Sequence, residues 1–362
     1  MTHTWQPSAA ATLIGSMPHR DRHHVIDLIL REISDIPVWP QLSAYEDERM
    51  MIQYLEGLPG LRNDAGHITV ATDDAEFDGE LLAFYQDYME VEAGTLAVEA
   101  SRFQMGELTG KTFFQFVRTL TQASQPTRAL KGQVVGPFTL LTGLTDQQRK
   151  PLIYDERMRD AVAKHLALKA RWQVEQLRSL GKPVIVFLDE PALAGYGSSA
   201  YIGVSAELVA SLLDEVIGSI HQAGALAGIH VCANTDWQLV LQSQADIVNF
   251  DAYGYFDRFV LYRDAVTTFL QKGRTIAWGL VPTSDPRAIL QETAKTLADR
   301  WFNQVQTLIS PEFPVTRILA QSLFTPSCGC GSLTEELAER VVTLTRSVSA
   351  IMQERLAQGS ER

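Results

Sequence analysis

His230 and Cys232 sit two positions apart at the end of the apolar run Ala225 to Val231, and Cys328 opens Cys328-Gly329-Cys330 after a second apolar run, Ile318 to Phe324. Residues two apart in a strand project from the same face, so His230 and Cys232 reach one metal ion from one strand end. Imidazole and thiolate are ligands that zinc prefers, and three protein ligands with an open fourth position make a catalytic site. All three cysteines of the chain fall in these two motifs, which leaves none for a disulfide framework. Buried free cysteines packing as small hydrophobes are the plainer reading, and a histidine at matching strand-end spacing tells against it. A structural zinc on His230, Cys232, Cys328 and Cys330 is the stronger rival. It would close the site, and such zincs usually staple small or loop-rich units rather than a chain with a large core.

Two thiolates neutralise a zinc dication and make it a poor activator of water. Its natural task is to bind an incoming thiol and keep it deprotonated near neutral pH. The chemistry expected is therefore alkyl transfer to a thiolate rather than hydrolysis. Asp189-Glu190-Pro191 follows the wholly apolar Val184 to Leu188, which puts two carboxylates at the rim of a buried core. Pro191 biases Glu190 toward an extended conformation. Asp189 and Glu190 are the candidate catalytic acids, and they suit a substrate ammonium group. Backbone amides around Gly15 and Ser16, with the Ser16 hydroxyl, suit a carboxylate. Thiol, amine and carboxylate together describe an amino-acid thiol such as homocysteine.

The elements that must position these groups are short apolar runs: Ala11 to Ser16, Ile36 to Leu42, Gly132 to Gly136, Pro183 to Leu188, Ala225 to Val231, Asp246 to Phe250, Thr275 to Val281 and Arg317 to Leu323. Amphipathic stretches such as Tyr154 to Leu180, Ser205 to Ala223 and Pro286 to Ile309 separate most of them. Strand alternating with helix predicts parallel βαβ units, and about eight in one chain predict an α/β fold, the (β/α)8 or TIM barrel, over an open doubly wound sheet. Polar motifs follow nearly every run, and in a barrel those positions converge on one face. Ser284-Asp285-Pro286 reads instead as a helix N-cap with proline in the first turn. The segment from about 45 to 131 reads as an elaboration over one barrel face. It holds an extra strand near Ile68 to Thr72 and helices at Glu76 to Ala93 and Lys111 to Thr121. A C-terminal helix is expected over Ser332 to Leu356, with a capping box at Ser332 and Glu335 and a frayed tail beyond. The chain is read as one domain, 1–362.

A length of 362 residues with 46% hydrophobic and 20% charged residues describes an ordinary globular protein. A net charge of −12 argues against a nucleic-acid partner. No apolar run approaches bilayer length, and Met1 to Pro7 lacks the features of a signal peptide. With free cysteines, a cytoplasmic location is the expectation. The remaining histidines, His3, His19, His23, His24, His67, His165 and His221, read as ordinary.

From Ile14-Gly15-Ser16 through Asp189-Glu190-Pro191-Ala192 and His230-Val231-Cys232 to Pro326-Ser327-Cys328-Gly329, the chain resembles the C-terminal catalytic barrel of cobalamin-independent methionine synthase. That family is a branch of the uroporphyrinogen decarboxylase-like barrels, which include methylcorrinoid:thiol methyltransferases. The resemblance implies Zn2+ on His230, Cys232 and Cys328, and amino-acid contacts at Ile14, Ser16 and Asp189, with Glu190 nearer the methyl donor. The family's fourth ligand is a glutamate; the corresponding strand here leads to Asp251, one methylene shorter, and Cys330 is the alternative. The family places a glutamate for the substrate ammonium near residues 44–48. It also has a proton-donating histidine after the seventh strand, where this chain reads Pro282-Thr283-Ser284-Asp285. Without that histidine, and without a counterpart of the folate-holding half, the expected donor is a methylcobamide or methylcorrinoid carrier protein. A coenzyme M-like thiol as acceptor, or a non-catalytic zinc- or corrinoid-binding protein, are the alternatives.

Overall fold

Apolar runs bounded by turn residues form strands buried on both faces. In the computed structural model, which describes residues 5–64, 66–122 and 126–360, most of them do so here, but Ala11 to Ser16 and Ile36 to Leu42 are strand only at their last residues, with single bridges at Ala11 and Val38. His3 and the last two residues of the expected frayed tail lie outside the described residues. In chain order the strands are β1 (Ser16–Met17), β2 (Gln41–Leu42), β3 (Leu61–Asp64), β4 (His67–Val70), β5 (Leu130–Val135), β6 (Val184–Asp189), β7 (Leu226–Val231), β8 (Ile247–Phe250), β9 (Thr275–Val281) and β10 (Ser322–Pro326). Six of them form a parallel sheet in the order β10-β9-β8-β7-β6-β5. β1 and β2 pair in parallel, and β3 and β4 form an antiparallel hairpin.

Two parallel single-residue bridges extend the sheet at its edges. Val38 meets Lys131 beside β5, and Ala11 meets Phe324 beside β10. The amide of Phe324 donates to the Ala10 carbonyl at 3.0 Å, and that of Lys131 to Pro37 at 3.0 Å. Ala10, Ile36, Ala129, Ile185, Phe187, Ile247, Ala277 and Leu323 make one buried apolar cluster, separate from the larger core under the helices. Alternate residues such as Val184, Val186 and Leu188, or Val248 and Phe250, belong to that larger core. The sheet is thus apolar on both faces, with period-two alternation deciding which core each side chain joins.

Several elements differ from the sequence reading. Arg317 to Leu323 is not one strand, because Val315–Ala320 is helical and β10 begins at Ser322. Pro286 to Ile309 breaks into helices Pro286–Gln291 and Ala294–Val305, the second opened by a capping box between Thr293 and Thr296. Asp285 caps the first of these by accepting from the Arg287 amide at 2.8 Å. The last helix is Glu335–Ser360, and its Leu337 amide donates to Thr334 Oγ1 at 3.4 Å. Ser332 and Glu335 therefore form no capping box: Ser332 lies before the helix, and Glu335 accepts from the Arg20 amide at 3.1 Å.

The segment 45–131 contributes the β3–β4 hairpin and helices Phe77–Glu92 and Lys111–Gln122. It is tied to the sheet by the buried Tyr54, whose hydroxyl donates to the Gln133 carbonyl at 2.5 Å. Among the described residues, no helix is long and apolar enough to cross a membrane.

Candidate metal and thiol site

The strand register lays three polar side chains in one row. Asp189, the last residue of β6, pairs with His230 of β7, which pairs with Asn249 of β8. Asn249 Nδ2 donates to the Ala277 carbonyl at 2.9 Å and to Thr325 Oγ1 at 2.8 Å, which turns its carbonyl oxygen toward His230. That oxygen meets His230 Nδ1 in a short hydrogen bond, so Nδ1 carries the proton. His230 Nε2 is left buried with no hydrogen-bond partner. A second polar group that fixes the tautomer and frees the other nitrogen is what a metal-binding histidine requires.

Cys232 follows β7, and Cys328 follows β10. The ligand atoms of His230, Cys232 and Cys328 all lie within 4.8 Å of one another. The Cys328 thiol beside it holds the Cys232 thiol far below its ordinary value against the opposing effect of burial, and the same interaction pushes Cys328 up. At His230, burial opposes the charged ring, but Cys232 and Asp189 outweigh it and raise its pKa. A buried imidazole nitrogen without a partner beside two sulfurs is a donor set that fits zinc.

Neither residue considered as a fourth ligand joins this group. Cys330 is buried, its thiol pushed up to about 12 by burial, and its amide donates to the Ser16 carbonyl at 2.8 Å. It fastens the loop after β10 to β1. Asp251 turns back on its own loop, where Oδ1 accepts from the Gly254 amide at 2.7 Å. Burial raises the Asp251 carboxyl to about 6, with the Cys232 charge adding to the rise.

A cavity of about 370 Å³ opens onto the trio and is lined also by Ile14, Ser16, Gln41, Ser43, Arg49, Asp189 and Ser332. Of the expected substrate contacts, Ile14, Ser16 and Asp189 are there. Gly15 is not; its backbone, at φ +143°, packs against Gln133, where a Cβ would come within 2.7 Å of the side chain. Asp189 Oδ1 is buried without a partner. Burial raises its pKa, while the positive charges of His230 and Lys131 oppose the rise. Lys131 is wholly buried, and its Nζ donates to the Ile14 carbonyl at 2.6 Å.

Glu190, expected beside Asp189 as a catalytic acid, does not line the cavity. Its carboxylate accepts from the amides of Phe138 (2.9 Å) and Thr139 (2.8 Å) and from Thr139 Oγ1 (2.6 Å). It thereby closes the N-terminus of helix Pro137–Gly143, whose first amides would otherwise lack acceptors. Burial lifts it to about 7 against the pull of those donors. The cause of the misreading is alternation: adjacent residues leave a strand end on opposite sides, so only one of two neighbouring acids faces the site. Glu48, in the stretch where a substrate-binding glutamate was expected, is buried in an ion pair with Arg22 at 2.8 Å. Arg49 lines the cavity instead. Nothing in the run Glu46 to Arg49 marks the arginine out, whereas Asn249 was findable as a single polar residue in the apolar Ile247 to Phe250, and Lys131, with Gln133, as polar residues in the largely apolar Leu130 to Val135.

No family model matches the chain, and no curated protein matches it. Among solved structures it is similar to GH26A from Muricauda sp., at 10% identity over 83% of this chain and 94% of that one, with a TM-score of 0.35. That likeness is too slight to bear on fold or function.

Proposed function

We propose that residues 1–362 form a single (β/α)8 barrel with an elaboration at 45–131, and that it is a zinc-dependent methyltransferase acting on the thiol of homocysteine to make methionine. Eight-strand closure is supported by the two bridges flanking the six-stranded sheet and by the inner cluster, which draws Ala10 and Ile36 together with residues of β6, β8, β9 and β10. The observation that carries the activity is the unpartnered His230 Nε2 beside the sulfurs of Cys232 and Cys328, open to a cavity. When bound there, zinc supplies the acidity that keeps a substrate thiol ionised near neutral pH.

The chain's own residues do the rest. Asn249 holds the His230 ring with Nε2 facing the sulfurs. Asp189, buried with a free oxygen, takes the substrate ammonium, and the amine in turn satisfies an oxygen that is otherwise costly to bury. Arg49 favours the carboxylate, and so does the Ser16 hydroxyl, which is engaged only by a long 3.3 Å bond to Gln41 Oε1. A cavity of about 370 Å³ suits an amino acid. In the loop after β9, Thr283 Oγ1 bonds Ser327 Oγ at 3.0 Å, and neither hydroxyl is acidic enough to protonate a leaving amine. That favours a donor whose leaving group needs no proton, namely a methylcobamide or a methylcorrinoid carrier protein, over methyltetrahydrofolate. In balance, the thiol loses its proton, sulfur takes the methyl cation equivalent, and cobalt departs with the bonding pair.

The test supplies zinc-loaded protein with homocysteine and either methylcobalamin or methyltetrahydrofolate. Methionine is expected to form much faster from the cobalamin, and faster formation from the folate would overturn the donor assignment. Arg49 also suits the sulfonate of a coenzyme M-like acceptor, which lacks an amine for Asp189. The expected outcome is therefore that Asp189→Asn slows the homocysteine reaction far more than the reaction with 2-mercaptoethanesulfonate. A zinc-loaded protein that binds these thiols without turnover would mark a binding protein rather than an enzyme.

A further inference from the structure

Two histidines that the sequence leaves ordinary share a carboxylate with a distant helix. His19 lies in the turn after β1, His24 in the first turn of helix Arg22–Glu32, and Glu339 one turn into helix Glu335–Ser360. Their ligand atoms all lie within 4.8 Å of one another. His24 Nε2 is 2.7 Å from Glu339 Oε1, and His19 Nε2 is 3.6 Å from the same oxygen, beyond hydrogen-bond length. The His19 side chain is 0% exposed, yet neither of its ring nitrogens has a hydrogen-bond partner. A buried imidazole with both nitrogens unpartnered is unfavourable unless something else binds it. His24 and Glu339 are about half exposed, so the cluster is open to water on one side.

We propose that His19, His24 and Glu339 form a second divalent transition-metal site, distinct from the sulfur-lined cavity. Two imidazoles and one carboxylate select zinc, cobalt or nickel over calcium or magnesium, which want oxygen ligands. Solvent completes the coordination on the open side. Glu335, one turn earlier on the helix, adds negative charge next to the site while its Oε1 accepts from the Arg20 amide. The metal joins two segments that both lead from the cavity: β1 carries Ser16, and the loop before helix Glu335–Ser360 carries Ser332. Its role is to fasten these walls together. The proposal does not rest on the methyl-transfer reading, since the two sites share no residue.

Cobalt(II) titration of metal-free protein separates them, because only the cysteine site gives sulfur-to-cobalt charge-transfer absorption. The wild-type chain is expected to bind one equivalent with that band and one without it. His24→Ala and Glu339→Gln should each lose the band-free equivalent and keep the other, and only the wild type should gain in thermal stability as the second equivalent binds. Both substitutions fall on partly exposed side chains, and retention of the charge-transfer band reports that the variants are folded. Absence of a band-free equivalent in the wild type, or its retention in either variant, overturns the proposal. Absence of the charge-transfer band in the wild type would instead count against the sulfur site alone.

Discussion

Cys328→Ser is expected to lose methionine formation entirely and to bind zinc at the cavity more weakly by a factor above ~100, exceeding what loss of an outer hydrogen-bond partner costs. Serine keeps the shape of the side chain but replaces a soft, ionisable ligand with a hydroxyl that stays protonated. It also removes the thiol that hydrogen-bonds Cys232 and holds its pKa down. Cys330→Ser is the control. That thiol lies outside the ligand group, protonated and buried, so the exchange should disturb packing while leaving zinc and turnover in place. Equilibrium competition with a chelator, together with a methionine assay, reads both. A Cys328→Ser protein that retained zinc and turned over like the parent would contradict the ligand assignment.

The second large effect falls on stability. Glu190→Ala strips the acceptors from two amides and a hydroxyl at the start of helix Pro137–Gly143. It also leaves a hole in a site that is wholly buried. Stranding buried donors and opening a cavity should cost about 3–5 kcal/mol in denaturant unfolding. Glu190→Gln preserves the volume but turns an NH2 group toward a donor, and should cost about 1–3 kcal/mol. Zinc stoichiometry should be unchanged in the Gln variant, because its side chain stands outside the cavity. A Glu190→Gln protein of parental stability but without activity would restore Glu190 to the chemistry and refute the positioning role.

The contrast between these neighbours shows how far the sequence reaches. His230 and Cys232 are legible because a two-residue spacing in an apolar run fixes a shared face whatever surrounds the strand. Cys328 is legible because it is a rare residue placed just after another such run. Asp189 and Glu190 look alike in sequence; alternation lets only one of them face the cavity, and the helix beyond Gly136 takes up the other. Arg49 lines the cavity while Glu48 is buried away from it for the same kind of reason. Which of two adjacent charges turns inward depends on Arg22 and Thr112, which pair with Glu48 from other parts of the chain. The strand content survives translation into structure where runs are apolar throughout, as in β9. It fails at Arg317 to Leu323, where the first half of the run joins a helix and the strand starts later. His19, His24 and Glu339 were invisible because no local pattern links residues so far apart.

The central claim is that an incoming thiol joins His230, Cys232 and Cys328 at one zinc. X-ray absorption at the zinc edge tests this most directly, using His24→Ala protein loaded with one equivalent of zinc so that a single site is observed. The account predicts two sulfur neighbours per zinc without substrate and three once homocysteine is added. A sulfur count that homocysteine leaves unchanged, or a zinc with no sulfur neighbours at all, would contradict it.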